Sequence, residues 1–477
     1  MRAVENAVGV KIPKNARLIR NLLHGAQFQH DHIVHFYHLH ALDWVDIVSA
    51  LKADPVKTAR LAEDHSNAPV GGTPYYKTVQ QRLQTFVDSG QLGPFSNAYW
   101  GHPAYKLPPE ANLMAAAHYI EALRLQARTA RLHAIFGGKN PHPQSLVVGG
   151  ITSVRDLTPG RIAEFLYITK ETQEFIENVY IPDLLAVASF YKDWGAIGGT
   201  TNYHAWGEFP LGEKEPESLY MPRGFIKKRD IGGVTVAKQA RVTEHVARAW
   251  YEGKDAKHPF QGETNPLKEN PEYRPGGGRY SWFKAPRYDG EACEVGPLAR
   301  VLVAYANGHK DLKPLVEGTL QKLGIQAKHL FSTLGRTAAR GLETVAIGQA
   351  IQGWIMELVE NLKSGDTKTY QAWDMPGSAM GYGLNDVPRG SLGHWIQIEN
   401  KKIKNYQYVV PSTWNLGPRD EKGKLGPVEE ALIGTPIADP KKPLEVLRTV
   451  HSFDPCVACG VHVIDPDSNQ VYKIKAL

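Results

Sequence analysis

Apolar residues recur every three or four positions through "ARLIRNLLHGAQFQHDHIVHFYHLHALDWVDIVSAL", which follows Asn15 as a candidate N-cap and runs to Asp54-Pro55. That period predicts one long helix, or two helices abutting at Gly25. A second stripe, with Leu113, Ala117, Ile120, Leu123, Ala127, Ala130 and Ala134, opens at Pro108-Pro109-Glu110 and stops at Gly137-Gly138 before Pro141. Proline at the start and glycine past the end bracket a helix. Thr158-Pro159 opens a third helix through "RIAEFLYITKETQEFIENVYIPDLLAVASFY", in which Pro182 marks a kink or break. A fourth spans about Leu334 to Leu362 and ends at Ser364-Gly365.

Between these helices, residues 193–295 are rich in Gly, Pro and aromatic residues and lose the period, which predicts irregular loops with short strands. Further on, "HWIQIEN" and "IKNYQYVVP" alternate or are β-rich around Asn400-Lys401-Lys402, predicting a hairpin that leads into Pro411. The fold class expected is mainly α with small β elements (α+β), with long antiparallel-capable helices and a β element close to the C-terminal cysteines.

With 477 residues, 42% of them hydrophobic, the chain can bury a large core. Its net charge of +6 is spread without a basic block, so no nucleic-acid partner is expected. No window approaches the roughly 18 consecutive apolar residues that cross a bilayer, and Met1 opens no basic-then-apolar leader, so membrane attachment or export is expected to need a partner. Three cysteines, Cys293, Cys456 and Cys459, build no disulfide framework.

Two of those thiols stand three apart in "DPCVACGVH". As thiolates they can grip one soft metal ion, with the turn between them offering amide N–H groups to their charge. Structural zinc needs four ligands and would have to borrow histidines from elsewhere. A redox dithiol needs a βαβ context that is absent, and a pair of inert buried thiols is the third reading. In "QHDHIVHFYHLH", Asp31, His32 and His35 fall at helical spacings that could mimic a metal site, but aromatic-rich helices commonly hold histidines as buried hydrogen-bonding groups, and no metal is expected there.

"DPCVACGVH" resembles the C-terminal signature D-P-C-x-x-C-x-x-H of the large, catalytic subunit of nickel-iron hydrogenases. "VENAVGVKIPKNARLIRNLLHGAQFQHDHIVHFYHLHALDWVDIVSALKADP", "GGKNPHPQSLVVGGI", "DVPRGSLGHW", "YVVPSTWN" and "VLRTVHSFDPC" resemble further blocks of that family in order, over essentially the whole chain. The resemblance implies a long-helix bundle core around a nickel ion held by four thiolates, two of them bridging to an iron that carries carbon monoxide and cyanide. It makes Cys456 a terminal nickel ligand, Cys459 a bridging one, and His462 a ligand of a nearby magnesium (or iron) ion. Arg389 matches the arginine over the open metal face, Asp31 and Asp454 the carboxylates around it, and Ser412 the hydroxyl that donates to an iron-bound cyanide. Pro388 and Pro411 would line the same pocket, and His142 resembles a histidine on the electron-exit side.

The implied activity is heterolytic cleavage of H2, with electrons passed to an iron-sulfur small subunit and, through it, to a membrane cytochrome b. The implied location is the periplasmic side of the membrane, reached by export with the small subunit, after nickel-insertion proteins and a maturation endopeptidase have acted. The chain opens at "MRAVENAVGVKIP", whereas the resemblance implies an R-x-C-G-x-C pair, a proton-relay glutamate and a magnesium-ligating carboxylate before that block. The expectation is therefore an N-terminally truncated form, inactive as it stands, whose reading frame continues upstream. The alternative is a non-catalytic scaffold or interaction subunit. Residues 1–462 would form the catalytic domain and 463–477 an extension removed on maturation.

Overall fold

The computed structural model describes the chain except residues 92, 96–98, 214–217, 269–277, 457–459, 465–470 and 476–477, with 94, 460–464 and 471–475 described by backbone alone. The helices that carry the core and the site are α1 (Arg2–Val8), α2 (Lys14–Val34), α3 (Pro109–Gly137), α4 (Pro159–Phe175), α5 (Ile181–Phe190), α6 (Pro297–Ala306), α7 (Thr333–Lys363), α8 (Pro411–Leu416) and α9 (Leu444–Ser452). The strands that matter to the site are β1 (Ser378–Val387), β2 (Gly390–Glu399) and β3 (Lys402–Val409), followed by the hairpin β4 (Gly460–Ile464) and β5 (Val471–Lys475).

Local chemistry sets several of these ends. The Ser332 hydroxyl accepts from Gly335 N–H to start α7, Thr158 does the same for Arg161 at α4, and Gly138 closes α3 in the left-handed region at φ 84. Two sequence expectations for the first long helix fail. Pro13 rather than Asn15 is the N-cap, because the buried Asn15 amide is spent on the carbonyls of Asp366 and Lys368. Nor does Gly25 divide the helix: a Cβ there would lie 2.7 Å from Ile351 Cγ1, so glycine lets α2 and α7 pack closely. The break comes after Val34, where the helix widens into a π-helix (His35–His40) and one 3-10 turn (Ala41–Asp43). At Pro182 the kink is absorbed just upstream by a second π-helix, Ile176–Tyr180, that joins α4 to α5.

Helix α7 is the axis of the core: it is buried almost continuously from Thr333 to Gly348 and packs against α2, α4, α6 and α9. One apolar cluster joins Leu22, Phe28, Phe136, Phe165, Leu302 and Ile351, and another gathers Phe36, Trp44, Leu113, Tyr180 and Tyr191. Residues 193–295 carry short antiparallel pairs, among them Tyr203–Ala205 with Gly224–Ile226 and Val242–His245 with Ala285–Tyr288, as expected.

The predicted hairpin is β2 and β3, turning through Asn400 and Lys401, both at positive φ. A third strand, β1, was not anticipated and completes an antiparallel sheet of order β3-β2-β1. Its strand signal is interrupted by glycine: a Cβ at Gly381 would lie 2.4 Å from Ala3 O, because α1 lies directly on this sheet.

Charges inside the core tie the helices to the sheet. Arg300 donates to both Glu343 oxygens at 2.7 Å, to Val387 O at 2.9 Å and to Pro388 O at 2.8 Å, while His32 Nε2 meets Glu343 Oε1 at 2.7 Å. The side chains of Arg300, Glu343 and His32 are fully buried, so the Arg300 and Glu343 charges depend on each other and on the His32 ring for solvation. Arg300→Leu is expected to cost about 3–5 kcal/mol by leaving an uncompensated carboxylate in the core. The Arg300→Leu/Glu343→Leu pair should recover much of that in thermal denaturation, and a single variant as stable as wild type would contradict the account.

Candidate metal centre

Val387 pairs with Gly390, so Pro388 and Arg389 form a two-residue turn at one end of the sheet. Arg300 grips the Val387 and Pro388 carbonyls from behind, which aims Arg389 outward from a fixed base. Its guanidinium spans two carboxylates: Nη1 lies 3.2 Å from Asp31 Oδ2 on α2, and Nε lies 3.0 Å from Asp454 Oδ1 beyond the end of α9. Burial would lower the guanidinium's pKa, but Asp454 and Asp31 more than offset it and hold the pKa above its usual value. Burial would likewise raise Asp31, yet the His30 hydrogen bond and the Arg389 charge hold its carboxyl below the usual range. The pair is therefore ionised, with a quarter of the arginine side chain (26%) facing solvent.

Two residues after Asp454, Cys456 is exposed, and its backbone N–H donates to Ser412 Oγ at 2.9 Å. Ser412 lies in the first turn of α8 beside Pro411, and both are buried, as is Pro388. The Ser412 oxygen accepts from Cys456, and among the described residues its own proton is left to donate. The fold thus brings Arg389, Asp31, Asp454, Ser412 and Cys456 into one constellation from four separate stretches of chain. Cys459 and the His462 side chain lie outside the described residues, although the His462 backbone is in β4 opposite Lys473. His142 is exposed on the loop after α3.

Cys293 is elsewhere in kind: it is buried in an apolar cluster with Trp206, Tyr288 and Trp414, and burial pushes its thiol well above the usual range. An inert packed thiol is not a metal ligand in waiting.

Sequence reasoning missed the groups behind these carboxylates. His30 Nδ1 lies 3.1 Å from Asp31 Oδ1, and Arg340, fully buried on α7, donates to Ser452 O at 2.9 Å just before Asp454. The available signal was three arginines, Arg300, Arg336 and Arg340, on otherwise apolar helical stretches, where an unpaired charge would be untenable. Among the described residues, His40, Asp43 and His451 also bring potential ligand atoms within 4.8 Å of one another. Their geometry is that of a hydrogen-bonded triad, with both imidazole Nδ1 atoms 2.8 Å from the same Asp43 oxygen.

Burial opposes ionisation of Asp43, but the charge on His451 and hydrogen bonds from both rings lower its pKa from 3.8 to about 2. A folded pKa below the unfolded one gives stability that is present above about pH 4 and lost as pH falls toward 2. Asp43→Asn should therefore flatten the acid limb of the stability profile by on the order of 2 kcal/mol, read by denaturant titration between pH 2 and 5. An unchanged limb would mean that the triad is not ionised.

The donor chemistry of the constellation suits a soft metal ion beside a fixed cation: an accessible thiol, a free hydroxyl donor and a guanidinium locked by two carboxylates. Asp454 Oδ2, buried and without a hydrogen-bond partner among the described residues, is a further polar atom at this place.

A family model described as nickel-dependent hydrogenase matches residues 1–462. An uptake hydrogenase large subunit of Bradyrhizobium diazoefficiens is 47% identical, the alignment covering 100% of this chain and 85% of that protein. A quinone-reactive Ni/Fe-hydrogenase large chain of Wolinella succinogenes is 42% identical over 98% of this chain and 84% of its own length. Among solved structures, the Ni-Fe-Se hydrogenase of Desulfovibrio vulgaris Hildenborough in the as-isolated oxidized state superposes with a TM-score of 0.77 at 32% identity, covering 95% of this chain and 83% of that one.

Proposed function

This chain belongs to the nickel-dependent hydrogenases, in their large-subunit family, and from that membership we propose that it is the hydrogen-oxidising subunit of a membrane-associated uptake enzyme, with Cys456 and Cys459 as nickel ligands and His462 as a ligand of a nearby magnesium ion. When bound, the nickel-iron centre with its carbon monoxide and cyanide ligands supplies the site at which H2 is polarised and its electrons are taken up. The observation that carries the reading is the Arg389 fork, held between Asp31 and Asp454 next to Cys456.

In this reading Arg389 presents a permanent, oriented positive charge to the reacting hydrogen. Asp31 and Asp454 keep the fork in place and offer carboxylate oxygens that can hold a departing proton. Ser412 would donate a hydrogen bond to an anionic ligand of the iron, and Pro388 and Pro411 would close the pocket with groups that carry no N–H of their own.

Electrons would leave through an iron-sulfur small subunit to a membrane cytochrome b on the periplasmic side, the complex being exported through its partner. No helix among the described residues is long and apolar enough to cross a membrane. Nickel-insertion proteins and an endopeptidase acting after His462 complete the reading. Since β4 and β5 pair Gly460, Val461 and His462 with Lys475, Ile474 and Lys473, such a cut would free the last three residues of their strand partner.

A second reading is a non-catalytic scaffold that keeps the small-subunit contact. One experiment separates them: co-expression of the protein with the small subunit and the maturation proteins, followed by nickel analysis and hydrogen-dependent dye reduction. Nickel with hydrogen uptake supports the enzyme; a stable complex with neither supports the scaffold.

A further inference from the structure

We infer that His35 is a positioning residue for the Arg389–Asp454 pair, acting through the main-chain carbonyl of His451; the inference rests on the hydrogenase reading for its catalytic consequence. His35 Nε2 lies 2.6 Å from His451 O, and Asp454 N–H donates to the same oxygen at 2.9 Å, so one carbonyl takes two donors. Asp454 follows in the left-handed region at φ 53, a conformation that a non-glycine residue keeps only when its surroundings hold it there. That backbone conformation is what turns the Asp454 carboxylate to within 3.0 Å of Arg389 Nε.

The grip on His451 is double. Its ring is bound at Nδ1 by Asp43, whose same oxygen holds His40, and the His40 ring packs against that of His35 at 5.4 Å between centroids. Carbonyl and ring are thus fixed by one short stretch, His35 to Asp43, in which the π-helix sets the rings in contact. The next residue is fastened as well, Ser452 O accepting from Arg340 and its hydroxyl oxygen from Arg336. Burial pushes the His35 imidazole well below its usual pKa, so it is neutral, and its one N–H is the Nε2 proton facing the carbonyl. Without that donor the His451 carbonyl keeps only backbone amides of its own turn, Asp454 and Phe453. The turn can then relax out of the left-handed region, carrying the carboxylate away and leaving Arg389 with Asp31 alone.

The test compares His35→Gln, whose amide N–H reaches about where imidazole Nε2–H stood, with His35→Leu, which keeps bulk and removes the donor. Both are made in the complex with the small subunit. His35→Gln is expected to keep nickel and at least half of the turnover. His35→Leu should keep nickel, lose tenfold or more in kcat with KM for hydrogen within twofold, and show Asp454 beyond hydrogen-bond distance of Arg389 in its crystal structure. Wild-type turnover in His35→Leu with Asp454 in place would overturn the inference, as would a nickel-loaded His35→Gln as slow as His35→Leu. Should His35→Leu fail to assemble, His35→Gln alone decides: intact activity supports the inference, tenfold loss refutes it. A wild-type complex that does not turn over hydrogen would count against the functional reading, while the Asp454–Arg389 distance in the two variants would still test the positioning.

Discussion

Cys456→Ser is expected to strip nickel from the mature complex and abolish hydrogen turnover, with little change in the stability of the fold. A serine hydroxyl does not ionise near neutral pH and is a hard donor, so it cannot replace a thiolate at a soft metal. The fold should hardly notice, because Cys456 is exposed and its hydrogen bond to Ser412 is made by the backbone N–H, which serine keeps; a surface change of this kind costs within about 0.5 kcal/mol. Cys293→Ser predicts the opposite pattern. Its hydroxyl would be buried among Trp206, Tyr288 and Trp414, at a cost of about 1–3 kcal/mol, with nickel retained. Elemental analysis and thermal denaturation of the two variants separate the roles, and stoichiometric nickel in Cys456→Ser would remove this thiol from the metal set.

Arg389→Lys should lower hydrogen oxidation by roughly 100-fold to 1000-fold, the range found when a preorganised donor to developing charge is lost, with nickel content unchanged. The reason lies in the span of the fork. Nη1 meets Asp31 and Nε meets Asp454, two carboxylates on different elements, and a single ammonium cannot sit in both positions. Lysine keeps the charge, so the variant isolates orientation from electrostatics. Near-normal turnover in nickel-loaded Arg389→Lys would take the arginine out of the mechanism.

The sequence was informative where the signal is contiguous. The period and caps of "PEANLMAAAHYIEALRLQARTARLHAIFG" and of α7 are local, and those helices stand as read. Pro388 and Arg389 were legible as a motif, though not as the tip of a sheet, since β1 hides behind glycines that admit α1. Histidines 32, 35 and 40 were read as hydrogen-bonding groups without partners being named. Their partners, Glu343, His451 and Asp43, come from α7, from α9 and from the turn that follows the π-helix.

By itself, then, the chain determined its helical class, the ends of its longest helices and the spacing of the C-terminal thiols, because each is written within one or two turns of backbone. Tertiary structure alone decided which charges meet. Arg389 finds Asp31 across 358 positions and Asp454 across 65, and His35 reaches the His451 carbonyl across 416. Periodicity records which side of a helix is buried but not what it is buried against. A buried charge or carbonyl is tolerable only once its partner is in place, and that partner is supplied by the packing of α2, α7 and α9 around the turn at Arg389.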